Sequence, residues 1–183
     1  MSVELLAGAL LIRPFSAADI DAVHEAARES IKEISPWLPW CHPEYSKEET
    51  RAFIMSRDEA WRNEEELAFG VFDLETGAFF GCVGLNQINR THQIANLGYW
   101  VRTSCTGRGV ASTAARRVAR FGLKELGLQR IEILAAVGNR ASQRAAEKAG
   151  ALREAVFLRK RLLMRGYSQD AVLYSLVAED MNS

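Results

Sequence analysis

Between a strand-like run ending at Val101 and an apolar helical stripe beginning at Val110 stands the sequence Thr106-Gly107-Arg108-Gly109. A helix start leaves main-chain N–H groups without partners, and the helix dipole adds partial positive charge there. Glycines let a bulky anion approach that backbone closely, so the loop reads as a cradle for a pyrophosphate. A Walker loop would need Gly-Lys-Ser or Gly-Lys-Thr, and the chain contains neither. A dinucleotide turn would need a third glycine where Ser112 stands and an acid where Val137-Gly138-Asn139 stands. Taken alone, the loop reads more plainly as a helix cap with glycine packing.

A second segment bears on the same chemistry: Asn139-Arg140-Ala141-Ser142 opens an alanine-rich helix that Gly150 stops. Ser142 is a candidate donor to a departing thiolate, a modest task because a thiol has a pKa of about 8.5. The alternative for Ser142 is a helix cap. Cys105 lies near the helix start, where a thiol pKa can fall, and could act as a nucleophile. No His or Asp is visibly arranged to support it, so a loop filler is the plainer reading. His24 reads as structural, and His42 and His92 as solvated. A further group stands in Ser35-Pro36-Trp37-Leu38-Pro39-Trp40, a stiff aromatic loop that could wall an acceptor site. Trp40 is the better candidate for contact and Trp37 is balanced between wall and core, with Asn86 and Tyr174 as further acceptor-side residues.

The elements that must hold these groups follow from periodicity. Residues 9–15 read as a strand. Ser16 with Asp19, and Ser46 with Glu49, have capping-box spacing. The first starts a helix with Ile20, Val23, Ala27, Ile31 and Ile34 on one face, and the second a helix carrying Phe53, Ile54 and Trp61. Leu67, Phe69 and Val71 alternate, and Glu75-Thr76-Gly77 reads as a hairpin turn. Strands are expected at 78–88, 94–101 and 130–137, helices from Gly109 to about Leu126 and from Asn139 to Ala149. Two last strands fill 151–178, joined near Arg165-Gly166. The antiparallel run argues against a doubly wound sheet, and the two later helices as crossovers argue for a mixed α/β sheet.

The chain has 183 residues, expected to form a single domain over 1–183, with 23 basic and 23 acidic residues. That balance argues against a nucleic-acid or membrane binder. The start lacks a signal-peptide pattern, and no run is long and apolar enough to span a bilayer, so a cytoplasmic protein is expected. Cys41, Cys82 and Cys105 are widely spaced and indicate neither a disulfide framework nor a metal site.

Taken together, Gly98-Tyr99-Trp100, Gly107-Arg108-Gly109-Val110-Ala111, Asn139-x-x-Ser142, Lys148-Ala149-Gly150 and Asp170-x-x-x-Tyr174-Ser175-Leu176 resemble the GNAT acetyltransferases. The resemblance is to the branch that acetylates ribosomal-protein N-termini (the RimJ/RimL type), and the proline-tryptophan loop also fits it. It covers nearly the whole chain in order. It implies a mostly antiparallel sheet with about four helices, splayed at its central parallel strands, and acetyl-CoA as cosubstrate. It places the pyrophosphate on the backbone of Thr106, Gly107, Arg108, Gly109, Val110 and Ala111, and the pantetheine arm along Tyr99, Trp100 and Val101. Asn139 and Ser142 would border the thioester. Two positions depart from the pattern: Ser104 stands where Gln or Arg is common, and Asn96 where many members carry an acid. Family members are often dimers, which leaves a homodimer open.

The simplest chemistry is then direct attack of a primary amine on the thioester, with the N–H near Val101 receiving the oxyanion. An α-amine, with a pKa of about 8, needs less help with deprotonation than a lysine at about 10.4. That favours a protein N-terminus over a lysine, with a small-molecule amine also open. The competing class is a non-catalytic acyl-CoA sensor, which Asn96 invites.

Overall fold

The computed structural model describes residues 3–164 and 166–182. The expected first strand is β2 (Leu10–Pro14), and a short β1 (Leu5–Ala7) precedes it, paired antiparallel across a turn at Gly8. Gly8 has φ +59°, a left-handed conformation that glycine adopts without penalty. After a 3-10 turn at Ala17–Asp19 comes α1 (Ile20–Glu29). Its start is pinned by Asp19, whose carboxylate accepts the Ser16 N–H at 2.7 Å and both arms of Arg13 at 2.8 Å. The expected single helix to Ile34 is broken at buried Ser30, and Ile31–Ile34 forms the separate short α2. The helix α3 (Lys47–Arg62) begins at the second capping box, Ser46 and Glu49 exchanging hydrogen bonds of 2.8 and 3.2 Å.

The remaining elements are β3 (Leu67–Asp73), β4 (Phe79–Asn89), β5 (Ile94–Val101), α4 (Val110–Lys124), β6 (Arg130–Ala136), α5 (Arg140–Lys148), β7 (Leu152–Met164) and β8 (Tyr167–Leu176). Of the expected turn between β7 and β8, Arg165 lies outside the described residues, and Gly166 has φ +80°. Among the described residues the strands form one sheet of eight, in the order β1-β2-β3-β4-β5-β6-β8-β7. Every pair is antiparallel except β5 with β6. The mixed, mostly antiparallel architecture is the one expected.

Both faces of the sheet are covered. On one, α4 sets Val110, Ala114, Val118 and Phe121 against Leu85, Leu97 and Ile133. On the other, α1 and α3 bring Ile20, Val23 and Ile54 against Phe15, Ala68, Phe72 and Phe79. The strand β3 is therefore buried on both sides, Leu67, Phe69 and Val71 toward one core and Ala68 and Phe72 toward the other. Truncating a core residue such as Phe69 to alanine would cost on the order of 3–5 kcal/mol. Among the described residues, no helix is long and apolar enough to cross a membrane.

Candidate active site

The parallel pairing of β5 with β6 runs only from Ile94–Asn96 against Arg130–Glu132 and then stops. Pairing of β5 with β4 continues to Val101. The Arg102 N–H donates to the Phe80 carbonyl on the β4 side. Because main-chain groups of an antiparallel strand alternate in direction, Tyr99 and Val101 turn theirs away from β4, toward β6. The strand β6 has diverged there, so these groups face a cleft of about 620 Å³. A strand edge left open inside a sheet is a template for a ligand that offers amides of its own.

The glycine-rich loop lies along this cleft. Gly107 and Gly109 have φ +79° and +80°, and Gly109 is the N-cap of α4. Thr113 makes the first intrahelical bond, its N–H to the Gly109 carbonyl. The N–H groups of Val110, Ala111 and Ser112 are thus the donors of the helix start. Thr106, Gly107, Gly109, Val110 and Ala111 line the cleft, whereas Arg108 does not.

The approach to the loop is tied to the end of α1. Ser104 N–H donates to Glu29 at 2.8 Å, Thr103 N–H donates to the Ser30 hydroxyl at 3.0 Å, and Arg102 bridges Glu25 and Glu29 at 2.5 Å each. The break in the expected long helix puts Ser30 where its hydroxyl can serve this purpose. Ser104, the departure from the family pattern, here contributes a main-chain bond that fixes the loop. Cys105 is buried and also lines the cleft.

On the far side of the cleft, Asn139 is the N-cap of α5, its side-chain oxygen accepting the Ser142 N–H at 3.0 Å. The spacing of these two residues therefore serves helix capping. It also fixes Ser142, whose carbonyl accepts the Tyr99 hydroxyl at 2.9 Å and whose Oγ lies 3.2 Å from the same hydroxyl. Burial pushes the Tyr99 phenol up to about 12, so it is protonated at any ordinary pH. Tyr99, Asn139 and Ser142 all line the cleft.

A second cavity, of about 510 Å³, adjoins the first, and both are lined by Leu38, Asn86, Gly98, Tyr99 and Trp100. Trp40 is part of its wall, with ring centroids 5.6 Å from Trp100 and 5.4 Å from Tyr45. Trp37 lies on the first cleft instead, and a side chain at Gly138 would meet its ring at 3.3 Å. Asn96 donates to Asn86 at 2.9 Å, so the position where the family pattern has an acid is here half of an amide pair. Tyr174 belongs to neither cavity. It is fully buried, its hydroxyl 3.1 Å from Glu147, and it does not reach the acceptor side as expected, because β8 lies beyond β6 in the sheet. His24 is in contact with Thr50 and Tyr45.

The second cavity also contains groups that the sequence does not mark as part of a site: Glu66, Glu49 with His42 at 2.9 Å, Tyr45, Phe53 and Phe15. Glu66 is paired with Arg57 at 2.5 Å, and the Arg57 guanidinium stacks over Phe53. The bond from Ser46 N–H, followed by those from His42 and the Ser46 hydroxyl, holds the Glu49 carboxyl down at about 2. Among the described residues, no group of His, Cys, Asp and Glu is placed to hold a metal ion.

Comparison with known proteins bears on this geometry. A family model described as an acetyltransferase (GNAT) domain matches residues 9–152. A Bacillus subtilis (strain 168) relative bearing a ribosomal N-acetyltransferase name, YdaF, is 27% identical over 173 residues, 93% of this chain and 92% of its own length. A second, bearing the N-acetyltransferase name YjcK, is 32% identical over 137 residues, 74% of this chain and 75% of its own. A solved structure from Vibrio cholerae, named for ribosomal-protein-serine acetylation, superposes with a TM-score of 0.84 at 27% identity, covering 96% of this chain and 97% of that one.

Proposed function

The chain belongs to the GNAT acetyltransferases and is an acetyl-CoA-dependent N-acetyltransferase, and from that premise we propose that it acetylates a primary amine by direct attack, first a protein N-terminal α-amine and second a small-molecule amine. The carrying observation is that the two cavities meet at Gly98, Tyr99 and Trp100, beside the end of β5–β6 pairing. A cosubstrate along the first and an amine in the second would have their reacting atoms brought together at that junction. The ribosomal names of two relatives favour a protein N-terminus as acceptor. One sheet through the described residues supports a single domain over 1–183.

In this reading the main-chain N–H groups from Gly107 to Ala111 hold the pyrophosphate, with Thr106, whose own N–H is bonded to the Thr103 carbonyl, lining the approach, and the open edge at Tyr99 and Val101 pairs with the amides of the pantetheine arm. The amine nitrogen attacks the thioester carbonyl, and the Val101 N–H stabilises the oxyanion. The C–S bond then breaks, the N–C bond is complete, and the proton lost by the amine ends on the CoA thiolate. Ser142 and Tyr99 stand as a coupled hydroxyl pair, and the Ser142 hydroxyl, rotated toward the sulfur, is the donor. Asn139 acts through Ser142 by capping its helix. Trp40 and Asn86 lie on the amine side, and Trp37 on the cosubstrate side.

The test is release of free CoA thiol from acetyl-CoA in the presence of peptides with a free N-terminus, with a mass gain of one acetyl group on the peptide. Peptides blocked at the N-terminus but containing lysine should not respond. Acetylation of lysine side chains alone would overturn the α-amine assignment. Tight acetyl-CoA binding without thiol release would return the chain to the sensor reading.

A further inference from the structure

The second cavity has a cause in the sheet itself. The registers pair Ala68 with Gly84 and Gly84 with Gly98, so residues with little or no side chain lie in one row across β3, β4 and β5. All three line the cavity. On a sheet of ordinary side chains this row would be filled. Here it is a trough, with a polar row on one side and, on the other, the row Gly70, Cys82 and Trp100, whose single large side chain is the Trp100 ring. The polar row is Asn86 paired with Asn96, and the same register carried one residue before β3 sets Glu66 opposite Asn86. On the other side, Cys82 is paired with Trp100. Phe15 and Phe53 close the trough from above, and their rings are 5.5 Å apart, edge to face. Trp40 and Tyr45 form the remaining wall.

The lining is therefore apolar and largely aromatic, with carboxylate and imidazole groups confined to Glu49, Glu66 and His42. Glu66 faces Arg57, and Glu49 faces His42 and the Ser46 N–H. A small N-terminal residue such as alanine or serine would leave most of about 510 Å³ unfilled. Cavities of roughly 300–1,000 Å³ take whole ligands, and aromatic walls reward a flat apolar body.

We infer that this trough is the acceptor's side-chain pocket, and that the enzyme selects primary amines carried on a bulky apolar group, aromatic above all. The inference rests on the acetyltransferase reading and narrows it. The amine nitrogen sits at the Gly98–Trp100 junction, and the aromatic body lies over Ala68, Gly84 and Gly98. An N-terminal phenylalanine or tryptophan and a free arylalkylamine share this chemistry.

The experiment compares kcat/KM for alanine, leucine, phenylalanine and tryptophan amides, for tripeptides beginning with the same residues, and for phenethylamine against propylamine. Binding of phenethylamine and propylamine to the CoA-loaded protein is measured by calorimetry in parallel. A hydrophobic pocket discriminates by roughly 10- to 200-fold per methylene-sized difference, so phenylalanine should exceed alanine at least about tenfold in both series. If the peptides show the preference and phenethylamine does not, the source is a chain N-terminus. If the reverse holds, it is a small arylalkylamine. Ala68→Val, which raises the trough floor, should compress the phenylalanine-to-alanine ratio at least about fivefold. Equal rates for alanine and phenylalanine in both series, together with equal binding of propylamine and phenethylamine, would overturn the pocket assignment while leaving acetyl transfer intact. Selective phenethylamine binding without turnover of any amine would sustain the pocket and overturn the catalytic reading.

Discussion

The Tyr99 hydroxyl donates to the Ser142 carbonyl across 2.9 Å, joining the free edge of β5 to the first turn of α5 over the cleft. Its oxygen also lies 3.2 Å from the Ser142 hydroxyl. With the tyrosine proton committed to the carbonyl, the serine hydroxyl is the donor in the second contact. The two side chains thus form one unit, and neither can be altered without changing the other's bonds.

Ser142→Ala should lower kcat by roughly 10- to 1000-fold, the usual cost of losing one transition-state hydrogen bond, with a smaller effect on acetyl-CoA affinity. Tyr99→Phe should act on the same step, and the double variant should lose about as much as the worse single one. Steady-state kinetics with calorimetric Kd values for all three variants check this. Full additivity, or unchanged turnover in Ser142→Ala, would reduce Ser142 to a packing residue.

The pH profile follows from the same pair. Tyr99 holds Ser142 in place only while it is protonated, and burial places its pKa at about 12. The rate should therefore rise through the amine pKa of about 8 and show no alkaline fall below about pH 10. A falling limb near pH 9 that vanishes in Tyr99→Phe would contradict the assignment.

Gly109→Val should weaken acetyl-CoA binding at least about tenfold. Gly109 has φ +80°, and a Cβ at this position would meet nothing nearer than 3.9 Å, so the strain is in the backbone rather than in a clash. That costs on the order of 1–3 kcal/mol of stability, small enough for the fold to survive, as circular dichroism would show. Arg108→Ala, which lies off the cleft, should change Kd far less. Unchanged affinity in a folded Gly109→Val would remove the loop from the binding site.

Asp19 gives a stability test with a defined sign. Burial alone would raise its pKa, but the bonds from Arg13 and Ser16 outweigh it, and the net effect is a lowered value. A carboxylate with a depressed folded pKa stabilises above its unfolded pKa of about 3.9, and the contribution is lost as pH falls through the folded value. Asp19→Asn should thus cost about 1–3 kcal/mol at pH 7, with the gap from the parent narrowing below about pH 4. Urea melts at both pH values check it, and a gap that stays constant would contradict the linkage.

Trp40→Ala should raise the amine KM several-fold and leave acetyl-CoA affinity unchanged, because the ring faces the second cavity and is 38% exposed. A strong fall in Tm with intact amine kinetics would make it a core residue.

What the sequence disclosed about these sites, and what it withheld, follows one physical line. Local chemistry was readable. The Ser16–Asp19 and Ser46–Glu49 spacings, the glycine pair at 107 and 109 and the apolar stripe of α4 each act within a few residues. The three residues of β1 are too few to show a period, and Ser30 breaks a helix whose apolar spacing continues through Ile31 and Ile34. The partner that uses Ser30, the Thr103 N–H, lies 73 residues on. The trough of Ala68, Gly84 and Gly98 exists only once three strands are in register, and nothing in one strand announces it. Tyr174 shows the opposite failure, since a tyrosine within a matching pattern near the C-terminus can be pure core.

The central claim is direct transfer from acetyl-CoA to an amine, and intact-protein mass spectrometry combined with a thiol-release assay tests it most directly. Acetyl-CoA alone should yield no free thiol and no added acetyl mass on the protein. Addition of a primary α-amine should then release thiol in equal measure with N-acetyl product. A burst of thiol without amine, matched by an acetyl group on buried Cys105, would contradict the account and replace it with an acyl-enzyme.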